Sequence, residues 1–394
     1  MQKQHVLLCL VVSISLLAGC VPLSQPATEI SANPTDSPSA VSPLLAAKVD
    51  NPYLSCLSPA LQMNAERAAH SATLLPNGKV LIAGGFREEG TSEIAISSAE
   101  IYDPETNIFT ATSDMNEPRN GHTATLLPDG QVLLAGGWNQ SGRTSTAELY
   151  DPQTGTFEYT GSMMAARQGL TATLLQNGQV LIAGGDSARN TTQPVAELYD
   201  PGTGTFTPTG SLHTGRFGHT ATLLSDGRVL LVGGTSGNDN ILASAEIYNP
   251  ATGEFTPTSD GSMVRYKHTA VLLNDGNVLI VGGADRRDWN GKYDSAEIYD
   301  VRTGTFRQIS DMNQERFKLA DAAVLLSDGN VLIGGGNRQL EIFDAQSQTF
   351  LPDGSLDDDY YFSVLTALND GQVLITGGYD ANILPSDKAW LYCR

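Results

Sequence analysis

The chain has 394 residues, with 23 basic and 43 acidic side chains and a formal net charge of −20. That balance disfavours a nucleic-acid backbone as partner and adhesion of the folded part to anionic lipid. No phosphate-binding loop, nucleophile elbow or zinc motif is present.

Residues 1–19 read as a targeting segment. Lys3 gives a positive start, and Val6 to Leu17 is an apolar core too short to span a bilayer comfortably. The segment ends in Leu17-Ala18-Gly19-Cys20, which resembles the bacterial lipoprotein signal. The resemblance implies cleavage before Cys20 and diacylglyceryl attachment to its sulfur. An ordinary secretory leader is the competing reading. Several acyl chains on one residue anchor stably, where one binds only marginally. Loss of the leader removes Lys3 and leaves the mature chain more acidic still.

Residues 20–51 carry Pro22, Pro26, Pro34, Pro38 and Pro43 among Ser, Thr and Ala. The stretch has no hydrophobic period and cannot bury a core, so a disordered tether is expected. A glycosylated stalk has the same composition.

From residue 52 to 394 one pattern recurs seven times. Its clearest copy is His122-Thr-Ala-Thr-Leu-Leu-Pro-Asp-Gly-Gln-Val-Leu-Leu-Ala-Gly-Gly137. Asp129-Gly130 predicts a two-residue hairpin turn between strands a and b. Val132 to Leu134 is a short apolar run, as in a strand covered on both faces. Gly136-Gly137 marks a close backbone approach that a Cβ would block. The double glycine starts at Gly84, Gly136, Gly184, Gly233, Gly282, Gly335 and Gly377. A repeat of about 50 residues holding four short strands predicts a propeller blade, because no single sheet can bury both of its faces. Strand c is Ala99-Glu100-Ile101-Tyr102-Asp103 and its copies, and strand d begins near Phe109 and its copies. The fold class is therefore all-β: a seven-bladed β-propeller of four-stranded antiparallel blades.

The seventh copy ends at Arg394 without a strand d. Ser55 to Pro59 aligns with strand d, so the N-terminal strand is expected to close the ring in the last blade. On the same template Cys56 aligns with Ile108 and Cys393 with Asp103. Those positions face each other across the c–d hairpin, near disulfide range. With Cys9 in the leader and Cys20 lipidated, a Cys56–Cys393 disulfide is expected. Such a bond fits an oxidising compartment outside the cytoplasm.

The Gly-Gly pairs, the Ala-Glu-Ile-Tyr-Asp strands and the period together resemble Kelch repeats of the bacterial type related to the galactose oxidase propeller. The resemblance implies a propeller that binds protein or carbohydrate, or acts on a sugar; it is weak guidance to activity. Copper oxidases of that group use two Tyr, two His and a Cys–Tyr cross-link. That set cannot be placed here, so no cofactor and no metal site are expected.

Residues that repeat in every blade serve packing first. Arg67, Arg119, Arg167, Arg216 and Arg265 recur, with His70, His122, His219 and His268 three positions behind four of them. Glu100, Glu148, Glu197, Glu246, Glu297 and Glu341 recur on strand c. Blade seven departs at both slots, with Tyr360 for Arg and Trp390 for Glu. Blade six offers Arg316 or Lys318. The joint departure predicts that Arg and Glu pair within a blade, since a buried charge needs a partner.

Function is expected where blades differ. Strands alternate in direction, so the b–c and d–a loops open at one end of the propeller. Candidate ligand-binding residues there are Phe86 and Arg87 in blade one and Trp138 in blade two. Blade five offers Asp285, Arg286, Arg287, Trp289 and Tyr293, and blade seven offers Asp359, Tyr360 and Tyr379. An aromatic and polar rim suits sugar stacking or peptide capture, although loop aromatics also serve simply to cover a rim. The acidic run 357–359 is a solvated loop or, less simply, a Ca²⁺ contact. The expectation is a lipid-anchored, extracytoplasmic, monomeric propeller that binds a carbohydrate or protein ligand. It would meet membrane only through its anchor and would not meet nucleic acid. A sugar-active enzyme without copper and a non-catalytic scaffold are the competing classes.

Overall fold

A computed structural model of the protein describes residues 56–394 apart from 91, 188–191, 193 and 238–239. The expected leader, Cys20 and the tether lie outside the described residues. Seven sheets stand in a ring, each with strand order a-b-c-d from the inside outwards. In blade two these are Thr123–Leu126, Val132–Ala135, Ala147–Asp151 and Thr156–Tyr159. All neighbours are antiparallel, with Val132 opposite both Leu126 and Tyr150. The only helical element among the described residues is a 3₁₀ turn at Asp288–Asn290.

Strand b is wholly buried in every blade, as its unbroken Val-Leu-Leu-Ala type of sequence demands. Seven of the apolar clusters each span two blades: Leu81 and Met115, for example, share one with Leu134, Tyr150 and Phe157. The core is thus a ring of seven inter-blade seams. No blade could keep it alone.

The a–b turn differs from the two-residue loop expected of Asp-Gly. Gly130 N–H bonds to the Leu127 carbonyl at 3.0 Å, and Leu127 N–H to Gln131 at 2.8 Å. Gly130 has φ of 89°. This is a type I turn over Pro128-Asp129 followed by a left-handed glycine, a three-residue loop. Proline supplies the φ that a type I turn needs in its second position. The Asp129 carboxylate accepts the Gln131 N–H at 3.0 Å.

The double glycine is the joint between blades. Gly136 has φ of 66°, and a Cβ there would stand 2.7 Å from the Arg167 carbonyl of the next blade. Gly137 donates to that same carbonyl at 2.9 Å.

Ring closure follows the expected plan. Cys56–Leu57 pairs with Ser386–Cys393, placing Cys56 opposite Cys393 and Leu57 opposite Tyr392. Leu61–Arg67 continues along the same edge strand. Cys56 and Cys393 form a disulfide with Cα atoms 5.1 Å apart.

Candidate functional site at the axial mouth

The chain enters each inner strand through a short turn that begins at the repeated arginine, or at Tyr360 in blade seven. In blades two and four it reads Arg119-Asn120-Gly121-His122 and Arg216-Phe217-Gly218-His219. Its third residue is left-handed in every blade, which suits glycine. Gly121, Gly169 and Gly218 fill that place in blades two to four. Lys267, Lys318 and Phe362 fill it in blades five to seven, with φ of 53°, 61° and 54°. These residues form a belt around the axis. Gly169 N–H bonds to Gly121 O at 3.2 Å, Gly218 to Gly169 at 3.2 Å, and Lys267 to Gly218 at 2.9 Å. Phe362 N–H then bonds to Lys318 O at 3.1 Å. Side chains held left-handed cost strain, and such residues cluster at functional sites.

Above the belt, in every blade but the sixth, the residue after the arginine slot bridges the residue after the double glycine. The bridged pairs include Ala68 with Phe86, Asn120 with Trp138, Gln168 with Asp186, and Tyr361 with Tyr379. The mouth is therefore two-sided. Blades two and three line it with Asn120, Gln168 and an Arg143–Asp186 ion pair. On the other side Phe86, Tyr266, Phe317, Tyr361 and Tyr379 are buried together, with Trp289 and Phe362 packed on them. Trp289 meets the Tyr361 ring at 4.5 Å and the Phe317 ring at 5.0 Å, both edge-on.

Lys318 reaches into this aromatic wall. Its Nζ lies 4.1 Å from the Trp289 ring centre, 4.9 Å from Phe317 and 5.0 Å from Tyr379. It donates a hydrogen bond to the Tyr379 hydroxyl. The residue is 3% exposed and has no carboxylate at ion-pair distance among the described residues. Burial, aided by the Lys267 charge, pulls its ammonium down to about 7, against weaker support from Asp288 and Glu93. Lys267 is lowered by burial too, but it pairs with Asp288 at 3.1 Å. Burial pushes the Asp288 carboxyl up; Lys267 and the Tyr266 hydroxyl at 2.6 Å outweigh that and hold it below its usual value. Burial raises the Tyr379 phenol far above its usual value, and raises Tyr361 to about 12.

The Kelch motif matches residues 67–116, 118–164, 216–262 and 265–313. These matches fall on blades one, two, four and five, just under half of the chain. The chain is a seven-bladed propeller that carries Kelch motifs. It is 35% identical over 75 residues to the F-box/kelch-repeat protein SKIP30 of Arabidopsis thaliana, a match spanning 19% of this chain and about a fifth of that protein. Its fold is shared with a fungal alcohol oxidase of the AA5 family, solved in complex with copper. The two are 16% identical with a TM-score of 0.71, over 86% of this chain and 76% of that one.

The residues of this Kelch propeller do not fit a copper ion. No group of three or more His, Cys, Asp or Glu among the described residues could hold a metal. Both domain cysteines are in the disulfide. The repeated histidines are committed to seams between blades. His122 Nε2 bonds to the Ser71 hydroxyl at 3.0 Å, and His219 Nε2 to Thr171 at 3.1 Å.

The Kelch arginines and glutamates pair within their own blades. Arg119 meets Glu148 at 2.6 Å, and the pattern holds in blades one to six, with Arg316 serving blade six. Each arginine also bonds to the first carbonyl of its Gly-Gly pair, as Arg119 does to Gly136 at 3.0 Å. The second glutamate oxygen holds the incoming segment, Asn116 N–H in blade two. These groups are the propeller's frame.

Of the residues expected at the rim, Phe86, Trp289 and Tyr379 come together in the aromatic wall. Trp138 stands in a separate hairpin opposite Arg143. Asp285 pairs with Arg287 at 2.7 Å on the surface. Arg87 lies exposed and 3.4 Å from Glu89. Arg286 is exposed, and the Tyr293 ring lies 5.9 Å from the Arg265 guanidinium. Asp359 accepts the Arg338 N–H at 2.8 Å. Tyr360 is turned into the seam between blades six and seven, where it packs on Trp390. Lys267, Lys318, Phe317 and Phe362 were not among the expected site residues. The available signal was the loss of glycine at the belt position in blades five to seven and, as Ala69, in blade one.

Proposed function

We propose that this protein is a binding module that takes a protein ligand across the b–c/d–a end. The observation that carries this reading is the two-sided mouth. Aromatic rings close one half of the axis, while charged loops of blades one, five and seven stand around it. A face of this kind offers area and mixed charge rather than a deep cleft, and suits an extended partner. Kelch propellers as a class support the same reading. The proposal places the module outside the cytoplasm, held by lipid on Cys20 through the tether of residues 20–51. A carbohydrate ligand is the second reading; the half-buried rings of Trp138 and Trp289 favour it, because sugar faces stack on indole.

The test is site-specific photo-crosslinking in the full-length, membrane-anchored protein. A crosslinker at Arg286 should capture one discrete partner, and the same group at Asp129, on the opposite end, should not. Equal capture at both ends, or none at Arg286, rejects the protein reading. A glycan array that includes cell-wall fragments then decides the second: hits lost on Trp138→Ala or Trp289→Ala establish a sugar ligand.

A further inference from the structure

Lys318 stands apart from the other lysines of the described residues. Lys79, Lys267 and Lys388 pair with Asp103, Asp288 and Asp357, and Lys292 is half-buried with its Nζ 5.9 Å from the Phe317 ring centre. Lys318 is buried, walled by rings and bonded only to a hydroxyl. A structural cation in such a place would be expected to keep a carboxylate partner. Its backbone is held left-handed in a belt position that glycine fills in blades two to four. Across the belt the aromatic wall thins to one ring, Phe217, which stands 2.5 Å from where a Cβ on Gly169 would be. A Cβ added at Gly121 would meet nothing within 4 Å, and one at Gly218 nothing nearer than 3.8 Å. The Gly121 and Gly218 positions therefore leave open space at the belt, in the half away from the amine.

We propose that Lys318 is a nucleophilic amine that captures an aldehyde at the axial mouth as an imine. The neutral Nζ adds to the carbonyl carbon, forming the C–N bond while the carbonyl oxygen takes a proton. The carbinolamine then loses water: its hydroxyl leaves with a proton and nitrogen gives up its remaining hydrogen. The sum is one aldehyde and one amine to one imine and one water, with no change of oxidation state. A desolvated lysine beside a second cation is the arrangement that keeps an amine neutral at physiological pH. Lys267 supplies that cation. The Tyr379 hydroxyl already meets Nζ and, with its phenol raised, stays protonated to serve the departing hydroxyl. Asp288, Glu93 and Tyr361 are the remaining titratable groups around the amine. The rings favour an apolar aldehyde; a sugar in its open-chain form presents the same carbon.

The experiment is reductive trapping on the full-length protein. It is incubated briefly with hexanal or with D-glyceraldehyde and sodium cyanoborohydride, and the labelled lysine is mapped by peptide mass spectrometry. At pH 7 Lys318 should be labelled at least tenfold faster than Lys292, with a rate that saturates in aldehyde. Its rate should rise through about pH 7 and level off, whereas a free lysine in a short model peptide should keep rising towards pH 10. The preferred probe names the source: hexanal for an apolar aldehyde, glyceraldehyde for a sugar. Tyr379→Phe should slow trapping at Lys318 and leave Lys292 unchanged. Labelling of Lys318 only after unfolding, or no faster than Lys292 with both probes, overturns the proposal. Lys318→Met, of similar length but without the amine, must remove the fast label from the folded protein. Persistence of that label at another lysine also overturns it.

Discussion

Tyr360 stacks on Trp390 in blade seven, ring centres 5.1 Å apart, where each of the other six blades buries an arginine against a glutamate. The main chain is the same in both cases. Gly336 N–H bonds to the Tyr360 carbonyl at 2.7 Å, as Gly137 N–H does to Arg167. The frame therefore accepts either an ion pair or an aromatic pair at one site, and what it forbids is half of a pair.

Removing one partner should be costly for that reason. Arg119 and Glu148 are both fully buried. Glu148→Ala strands the guanidinium and frees the Asn116 N–H that the carboxylate holds at 2.6 Å. A loss of about 3–5 kcal/mol is expected for either single change. The double change Arg119→Tyr, Glu148→Trp, which copies blade seven, should cost less than the two single losses added. Urea midpoints of the three variants check this, and strict additivity would sink it.

Two glycines separate conformational cost from crowding. Gly136 and Gly371 are both left-handed, with φ of 66° and 86°. A Cβ on Gly371 meets nothing within 4 Å, while one on Gly136 meets the Arg167 oxygen at 2.7 Å and Met163 Cε at 3.0 Å. Gly371→Ala should lose only about 1 kcal/mol. Gly136→Ala must also open a blade seam and should lose several times more. Equal losses in a denaturant titration would show that the seam yields freely.

The ring closure makes a third expectation. The disulfide spans 337 residues of sequence and joins the two strands that complete blade seven. Its reduction, or Cys56→Ser with Cys393→Ser, should destabilise by roughly 5 kcal/mol in the chain-entropy model. Unfolding should then begin at blade seven. Hydrogen exchange would show it as early loss of protection in Ser386–Cys393; uniform loss across the blades would contradict it.

The frame was legible in the sequence because every part of it is repeated. Seven double glycines, a turn after each inner strand and a recurring Ala-Glu-Ile-Tyr-Asp strand leave one architecture. The cysteine pairing followed from the same template. The mouth was harder to read because its chemistry lies in what three blades do not repeat. Lys318 was weighed as a stand-in for Arg316, two positions away. Only the two-residue lengthening of blade six between Arg316 and Ala323, and the left-handed backbone, assign it to the belt. Tyr360 shows the converse. Its slot marked it as a frame residue and its ring as a rim residue; the backbone bond from Gly336 places it in the frame.

Acid should loosen the blade seams through the histidines. His122 and His219 are pulled down to about 3, chiefly by burial and further by Arg119 and Arg216; His70 and His268 are lowered in the same way. Two of the hydroxyls they meet are already donors: Ser71 to Ala83 O and Thr376 to Val364 O, both at 3.5 Å. The rings facing them, His122 and His70, are thus assigned as donating through Nε2. In the unfolded chain the same rings titrate near 6.5. The folded state binds fewer protons, so stability is full above 6.5 and falls as pH drops from there towards 3. At pH 5 the loss is about 2 kcal/mol for each of His122 and His219. His219→Gln keeps a donor for Thr171 without titrating, and should make the fall shallower between pH 6.5 and 5, a range above the usual carboxylate titrations. Thermal midpoints across that range measure it. A midpoint independent of pH, or a His219→Gln slope equal to that of the parent, would mean that the rings charge freely within the fold.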